Sequence, residues 1–176
     1  MNTAIYPGTF DPITYGHIDV IKKSLNVFDR VIVATTDNIN KNYFFSIEDR
    51  IKIIHNSLFK DLNLKKKKIK VISFDNLTID LCRKYKANTI IRGLRAVSDF
   101  EYEFQLAGMN KKLNSKIETM FLMSDVENQI ISSKFVKEIA SLGGNINRFV
   151  TRSTVKMLKN KILWKKLSIY LSWFLV

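Results

Sequence analysis

The segment with the clearest capacity for chemistry lies near the start of the chain, where residues 6–17 read YPGTFDPITYGH. It holds both prolines of the sequence and two of its six glycines. This composition predicts a loop of special geometry, although an ordinary strand-to-helix turn uses the same residue types. Gly8 permits close approach of a ligand, and Gly16 and His17 begin a predicted helix whose unpaired N–H groups and positive dipole end attract phosphate. We therefore expect an oligophosphate site and favour a phosphate contact for His17 over a purely structural hydrogen bond.

A second polar segment contains two arginines. Arg92 and Arg95 stand three residues apart, just after a predicted strand. Planar guanidinium groups at this position suit the recognition of phosphate by several donors at once. A structural ion pair with Asp99 or Glu103 is the alternative interpretation.

A third polar segment reads ISSKFVKE at residues 131–138. Ser132 and Ser133 fall at a predicted helix start, where hydroxyl groups either bind phosphate or cap the helix. Lys134 either adds a phosphate contact or points to solvent.

Short β-rich runs alternate with helical patterns along the chain. The predicted strands are residues 3–6, 30–35, 69–74, 89–91 and 118–123, and the predicted helices are residues 16–28, 46–59, 77–85, 98–113, 132–142 and 151–162. This alternation predicts an α/β fold: a Rossmann-like, doubly wound sheet of five parallel strands with helices on both faces. Ligands bind such sheets beyond the carboxyl ends of the strands, where the strand order reverses.

The formal net charge of +13 is concentrated in two places. Five lysines lie within residues 65–70, and seven basic residues but no acidic residue follow Glu138, so the rest of the chain is close to neutral. The charge suggests a nucleic-acid-binding or membrane-surface protein as an alternative class. No aromatic residue is interleaved with the lysine run for base stacking, so we expect no nucleic-acid partner.

The single cysteine, Cys82, excludes an internal disulfide, and no cluster of cysteine and histidine has metal-ligand spacing. Met1 leads directly into a strand-like segment without the pattern of a signal peptide. These features predict a cytoplasmic protein with no metal site built from its own side chains.

The three polar segments resemble a known enzyme family. Residues 14–17, TYGH, resemble the T/H-x-G-H signature of the nucleotidyltransferase superfamily. Residues 6–17, the block IRGLRA at 91–96 with DFEYE at 99–103, and residues 131–138 are together similar to the phosphopantetheine adenylyltransferase family. Three ordered blocks spread over residues 4–162 are far more specific than one motif. The second block argues against a superfamily member acting on nicotinamide mononucleotide or a polyol phosphate.

The resemblance implies transfer of an adenylyl group from ATP to 4′-phosphopantetheine, giving dephospho-coenzyme A and pyrophosphate. The attacking phosphate is already ionised near neutral pH, so in-line attack needs no protein general base, and catalysis is positioning and charge stabilisation. Also implied are Mg²⁺ that bridges the ATP phosphates with few protein ligands, feedback inhibition by coenzyme A, and a homohexamer.

The same resemblance implies the roles of individual residues. His17 and Lys41 would be catalytic, with His17 at the α-phosphate. The acceptor would contact Thr9, Lys41, Thr78 and Arg92. The residues implied to bind ATP are Thr9, Phe10, His17, Gly93, Leu94, Arg95, Glu103, Asn128, Gln129, Ile130, Ile131, Ser132, Ser133 and Lys134.

Some positions depart from the family pattern. Asn128 stands where an aromatic residue is usual, Lys134 replaces a third serine, and Ser124 replaces a frequent proline. The chain also continues beyond residue 162, which predicts one nucleotidyltransferase domain at 1–162 and a basic, apolar extension at 163–176. Its terminal apolar stretch of about ten residues falls short of the roughly 20 that span a bilayer. We favour a subunit contact or self-packing over a membrane interface for this extension.

Overall fold

A five-stranded parallel sheet forms the centre of the computed structural model, which describes residues 1–38, 42–95 and 97–174, without the side chains of 97–99, 166 and 169–174. The strand order is β3-β2-β1-β4-β5. The strands are β1 (Thr3–Gly8), β2 (Arg30–Thr36), β3 (Ile69–Phe74), β4 (Thr89–Leu94) and β5 (Glu118–Met123). The helices are α1 (Tyr15–Val27), α2 (Ile47–Asn56), α3 (Thr78–Tyr85), α4 (Val97–Leu113), α5 (Val126–Gln129), α6 (Ser133–Ser141) and α7 (Arg152–Phe174). The predicted doubly wound α/β fold is confirmed.

Both faces of the sheet are covered, as the alternation along β1 shows. Ala4 and Tyr6 belong to a core cluster that includes residues of α1, α2 and α7, whereas Ile5 belongs to a second cluster with residues of α3. Because neighbouring side chains of a strand point to opposite faces, β1 contributes to two cores at once. Its buried, apolar sequence follows from this position at the centre of the sheet.

The strand order reverses beside β1, and the sheet opens there. β1 pairs with β2 over six residues, from Thr3 to Gly8, but with β4 only at Ala4 and Ile5. The ladder between β1 and β4 therefore ends before the carboxyl ends of the two strands. Doubly wound sheets bind ligands in the crevice at such a reversal of strand order.

Several predicted bounds were too short or incomplete. β1 and β4 continue to Gly8 and Leu94, a π-helical turn at Ser57–Asp61 follows α2, and the short helix α5 was not predicted. The lysine run contains a 3₁₀ turn at Lys66–Lys68, whose three side chains are exposed.

The last helix runs well past its predicted end at residue 162. α7 continues to Phe174, so the extension prolongs an existing helix. Trp164, Lys165 and Ser168 line a cavity of about 470 Å³ together with Tyr43 and Phe44. Within the described part of the chain, no helix is long and apolar enough to cross a membrane.

Candidate active site

His17 lies in the first turn of α1, and Thr14 fixes its ring. The backbone N–H of Thr14 donates to Nδ1 of His17 over 3.1 Å, and the hydroxyl of Thr14 lies 2.9 Å from the same atom. An Nδ1 that accepts a hydrogen bond carries no proton, so the neutral ring holds its proton on Nε2. Burial, with a smaller effect of the Arg95 charge, lowers the pKa of His17 from 6.5 to about 4. At neutral pH His17 is therefore an uncharged hydrogen-bond donor of fixed orientation.

The loop between β1 and α1 packs beneath this histidine. The ring of Phe10 is fully buried and meets the His17 ring edge-on, with 5.1 Å between centroids. The backbone of Phe10 has a φ of +46°, a left-handed conformation that non-glycine residues rarely adopt. Since the ring of Phe10 belongs to the core, any ligand contact of this residue must come from its backbone.

Arg50 of α2 holds the other side of this loop. Its side chain is fully buried, and Nη1 donates to the carbonyl oxygens of Thr9 over 3.2 Å and Thr36 over 2.7 Å. Nη2 pairs with the carboxylate of Asp37 at 2.9 Å. The guanidinium therefore joins the loop after β1 to the end of β2.

Arg92 at the end of β4 forms an ion pair with Glu103, the alternative interpretation of this arginine. Nε and Nη2 donate to the two carboxylate oxygens of Glu103 over 2.6 and 2.5 Å, and Nη1 donates to the carbonyl oxygen of Pro7 over 3.1 Å. Burial opposes the charge of Arg92, but the bonds to Glu103 outweigh it and raise the arginine pKa. Next to it, a side chain at Gly93 would lie 3.1 Å from Val20, so close packing against α1 favours glycine here.

The segment before α6 crosses the beginning of α1. A side chain at Gly16 would lie 3.0 Å from the carbonyl oxygen of Asn128, which explains a glycine at this contact. Gln129 donates through its side-chain amide to the carbonyl oxygen of Ser124 over 3.0 Å. Ile131 is buried, whereas Ile130 is 79% exposed.

The two serines at the start of α6 have different partners. Ser132 is the N-cap, and its hydroxyl accepts from the N–H of Phe135 over 3.1 Å. The hydroxyl of Ser133 donates to the carbonyl oxygen of Pro12 over 2.7 Å. The Ser133 bond joins α6 to the loop after β1, whereas the Ser132 bond caps α6 itself.

A cavity of about 360 Å³ lies between the loop after β1 and α6. It brings together three predicted residues, Thr9, Ser133 and Lys134. Four further residues, which were not predicted, also line it: Asp11, Asn42, Tyr43 and Lys137. Lys137 follows Lys134 by three residues, so both project from neighbouring positions on the α6 surface, and this spacing was the available signal.

Of the other predicted residues, one is not described and one lies on α3. Lys41 falls outside the described residues. Thr78 is the first residue of α3, after β3, at the carboxyl-end edge of the sheet. Among the described residues, no group of three or more histidine, cysteine, aspartate or glutamate side chains could hold a metal ion.

Direct contacts join all three polar segments. The first segment touches the second at Pro7 and Arg92, and it touches the third at Pro12 and Ser133. The contacts lie at or beyond the carboxyl end of β1, where the strand order reverses. The arrangement supplies neutral and cationic donors in a cleft, which suits binding of phosphoryl groups.

Comparisons with known proteins agree with this chemistry. The family model described as cytidylyltransferase-like matches residues 5–139. A phosphopantetheine adenylyltransferase from Pelagibacter ubique is 68% identical over 90% of this chain and 96% of the relative, and one from Zymomonas mobilis is 45% identical over 93% and 92%. Among solved structures, the Plasmodium falciparum nicotinic acid mononucleotide adenylyltransferase complexed with NaAD superposes with a TM-score of 0.63 at 18% identity, covering 94% of this chain and 96% of that chain. The last comparison shows a shared fold.

Proposed function

The chain belongs to the phosphopantetheine adenylyltransferases of the cytidylyltransferase-like family, and we propose that its cleft catalyses their reaction by in-line attack without a protein base. The enzyme transfers the adenylyl group of ATP to 4′-phosphopantetheine in coenzyme A biosynthesis. A phosphate oxygen of the acceptor forms a bond to the α-phosphorus, the bond between the α-phosphorus and its bridging oxygen breaks, and pyrophosphate leaves. The ionised acceptor needs no deprotonation, so the protein's contribution is alignment and charge stabilisation.

His17 is proposed to donate Nε2–H to an oxygen of the α-phosphate. The support is its neutral state at physiological pH and the fixation of its Nδ1 by Thr14. A donor whose orientation is set in advance stabilises charge in the transition state without a reorganisation cost. Lys41 is proposed as the second catalytic group on the phosphates, from the family resemblance alone.

Arg92 is proposed to recognise the phosphate of the acceptor, with Thr9 and Thr78 alongside it. A guanidinium has five N–H donors, and the bonds to Glu103 and Pro7 use three. Arg92 can therefore donate to a phosphate while Glu103 keeps it in place. In this arrangement Glu103 contributes to ATP binding indirectly. It orients Arg92, which begins the segment that continues with Gly93, Leu94 and Arg95.

The start of α6 and the 360 Å³ cavity are proposed to receive the ATP phosphates. Ser132, Ser133 and Lys134 provide the N–H groups, hydroxyls and charge for this, and the segment 128–131 supplies the wall against the nucleotide. ATP would enter as its Mg²⁺ complex, and the metal would stabilise the charge of the phosphates. The carboxylates of Asp11 and Glu103 already pair with protein cations, so they are not offered to the metal. The neutral oxygens of Thr9 and Ser133 suit a metal ion that is held mainly by ATP.

Four broader features are also proposed. The unit of function is a single domain at 1–162 with an extension at 163–176 that packs on its own chain or on another subunit. Association of identical chains is supported by the exposed apolar side chains along α4, including Phe100, Phe104 and Met109, and the number of six subunits is proposed from the family resemblance alone. A cytoplasmic location and feedback inhibition by coenzyme A complete the proposal.

The convergence of the three polar segments at the crevice carries this proposal. The test is release of pyrophosphate by the purified full chain from ATP and a panel of acceptors at equal concentration. We expect turnover with 4′-phosphopantetheine and the appearance of dephospho-coenzyme A, with far slower release when nicotinic acid mononucleotide is the acceptor. Equal turnover of both acceptors, or turnover of the second alone, would contradict the assignment.

A further inference from the structure

Asp11 is a buried carboxylate whose three partners come from two other parts of the chain. Oδ2 accepts from the N–H of Phe44 over 2.8 Å, and Oδ1 accepts from the N–H of Phe45 over 3.0 Å. Oδ2 also pairs with the ammonium group of Lys137 at 2.9 Å. The side chain of Asp11 is only 7% exposed. A buried carboxylate needs hydrogen-bond partners, and these bonds provide them for both of its oxygens.

These bonds fix three walls of the cavity of about 360 Å³, here called the phosphate cavity, relative to one another. Asp11 lies in the loop after β1, Phe44 and Phe45 lie between β2 and α2, and Lys137 lies on α6. Asp11 and Lys137 line the cavity themselves, and Tyr43, next to Phe44, lines it too.

The bonds also orient a cation. The ammonium of Lys137 lies over the face of Phe44, 5.8 Å from the ring centroid, while Asp11 holds it from another side. Charge-assisted bonds of this kind are short and directional, and a carboxylate can accept all of them at once. A neutral amide in place of the carboxylate would present hydrogen atoms to at least one of these donors.

We propose that Asp11 is a positioning residue for adenylyl transfer, which acts through the amides of Phe44 and Phe45 and through Lys137 to hold the phosphate cavity in its productive shape. This proposal rests on the proposed function of the cleft. Asp11 acts through the groups that it holds, because displacements of about 1 Å in a reacting site can reduce turnover by about 10²-fold.

The test compares Asp11→Asn with a matched control elsewhere in the fold. Asp61→Asn is that control, because the Asp61 carboxylate also receives a backbone N–H and a second donor from a distant segment, both from Ser153, at 2.8 and 3.0 Å. For each folded variant, calorimetry gives the dissociation constant of Mg·ATP, and steady-state pyrophosphate release gives kcat and the KM for each substrate. Thermal unfolding gives Tm.

We expect both variants to lose stability, but only Asp11→Asn to lose function, by about 10- to 100-fold in kcat/KM with weaker Mg·ATP binding. A folded Asp11→Asn variant with the kinetics and ATP affinity of Asp61→Asn would overturn the proposal, since Asp11 would then be only structural. If Asp11→Asn does not fold, Lys137→Met and Lys137→Arg decide: loss of ATP affinity in the first and its recovery in the second support the proposal, and equal wild-type affinity in both refutes it.

Failure of the proposed function gives a different result. A wild-type chain that binds Mg·ATP but releases no pyrophosphate with 4′-phosphopantetheine refutes the proposed reaction. The calorimetric comparison of Asp11→Asn with Asp61→Asn requires no turnover, so it still decides whether Asp11 shapes the phosphate cavity.

Discussion

Replacing His17 with alanine removes one oriented donor from the cleft. The structure gives the size of the effect in two parts. Loss of one preorganised donor to a transition-state oxygen reduces turnover by about 10²- to 10³-fold. Thr14 then loses the Nδ1 acceptor for its N–H and hydroxyl, and Phe10 loses an edge-on ring contact. Loosening of the loop extends the expected range to about 10⁴-fold, or roughly 5 kcal/mol of activation free energy.

The assay is pyrophosphate release at saturating ATP and acceptor, with far-UV circular dichroism and Tm measured on the same preparations. His55→Ala is the matched control, because His55 is the other histidine of the chain. It is exposed on α2, and its ring packs against Phe59 at 4.8 Å between centroids. We expect the control to turn over within about twofold of wild type, as substitutions outside a reacting site seldom alter it more.

A folded His17→Ala variant whose kcat lies near that of His55→Ala would contradict the proposed role of His17. Such a result would mean that Nε2 of His17 contacts the substrate no more strongly in the transition state than in the ground state. A rise in the KM for ATP with unchanged kcat would point the same way. His17 would then be a ground-state ligand and a cap of α1.

Three further predictions concern pH, the acceptor and the extension. Because burial lowers the pKa of His17 from 6.5 to about 4, the stability that its neutral form contributes is complete above pH 6.5. This contribution of about 3 kcal/mol is lost as the pH falls towards 4. In urea unfolding, the free energy of unfolding of His17→Asn should therefore fall less than that of wild type between pH 6.5 and pH 4, and equal decreases would contradict the prediction. Arg92→Ala should raise the KM for the acceptor and cost about 3–5 kcal/mol of stability by leaving the buried Glu103 unpaired; an unchanged acceptor KM at full rate is the contrary outcome. Truncation after Ile162 should lower Tm or the mass of the assembly measured by sedimentation. If neither quantity changes, the extension does not pack on its own chain or on another subunit.

The sheet and the location of the site could be predicted because their signals are local. Apolar runs between turn residues indicate the five strands, and the segment rich in proline and glycine after the first strand indicates the loop beside His17. The length of α7 was also readable in principle, since residues 152–174 contain neither proline nor glycine to end a helix. The predicted helix end at residue 162 was wrong, because α7 continues to Phe174.

The ion-pair partners of the charged residues could not be predicted from local sequence patterns. Arg92 had two candidate carboxylates, Asp99 and Glu103, on one predicted helix, and only packing of that helix on β4 and β5 brings Glu103 into contact. Asp11 and Lys137 are separated by 126 residues, and Arg50 reaches Thr9 across 41. Contacts of this range depend on how elements assemble, and one sequence contains no local pattern that specifies them.

The pairing of these cations explains why the overall charge says little about function. Arg92, Lys137 and Arg50 each face a carboxylate, at Glu103, Asp11 and Asp37 respectively. Such partners reduce the net attraction for a phosphate, but they fix the direction in which each N–H group points before substrate arrives. Orientation of this kind favours a transition state over other anions, because the donors need no reorganisation as charge develops. The described cations named here are therefore oriented in ion pairs near a neutral histidine, while the lysines of residues 65–70 are exposed to solvent.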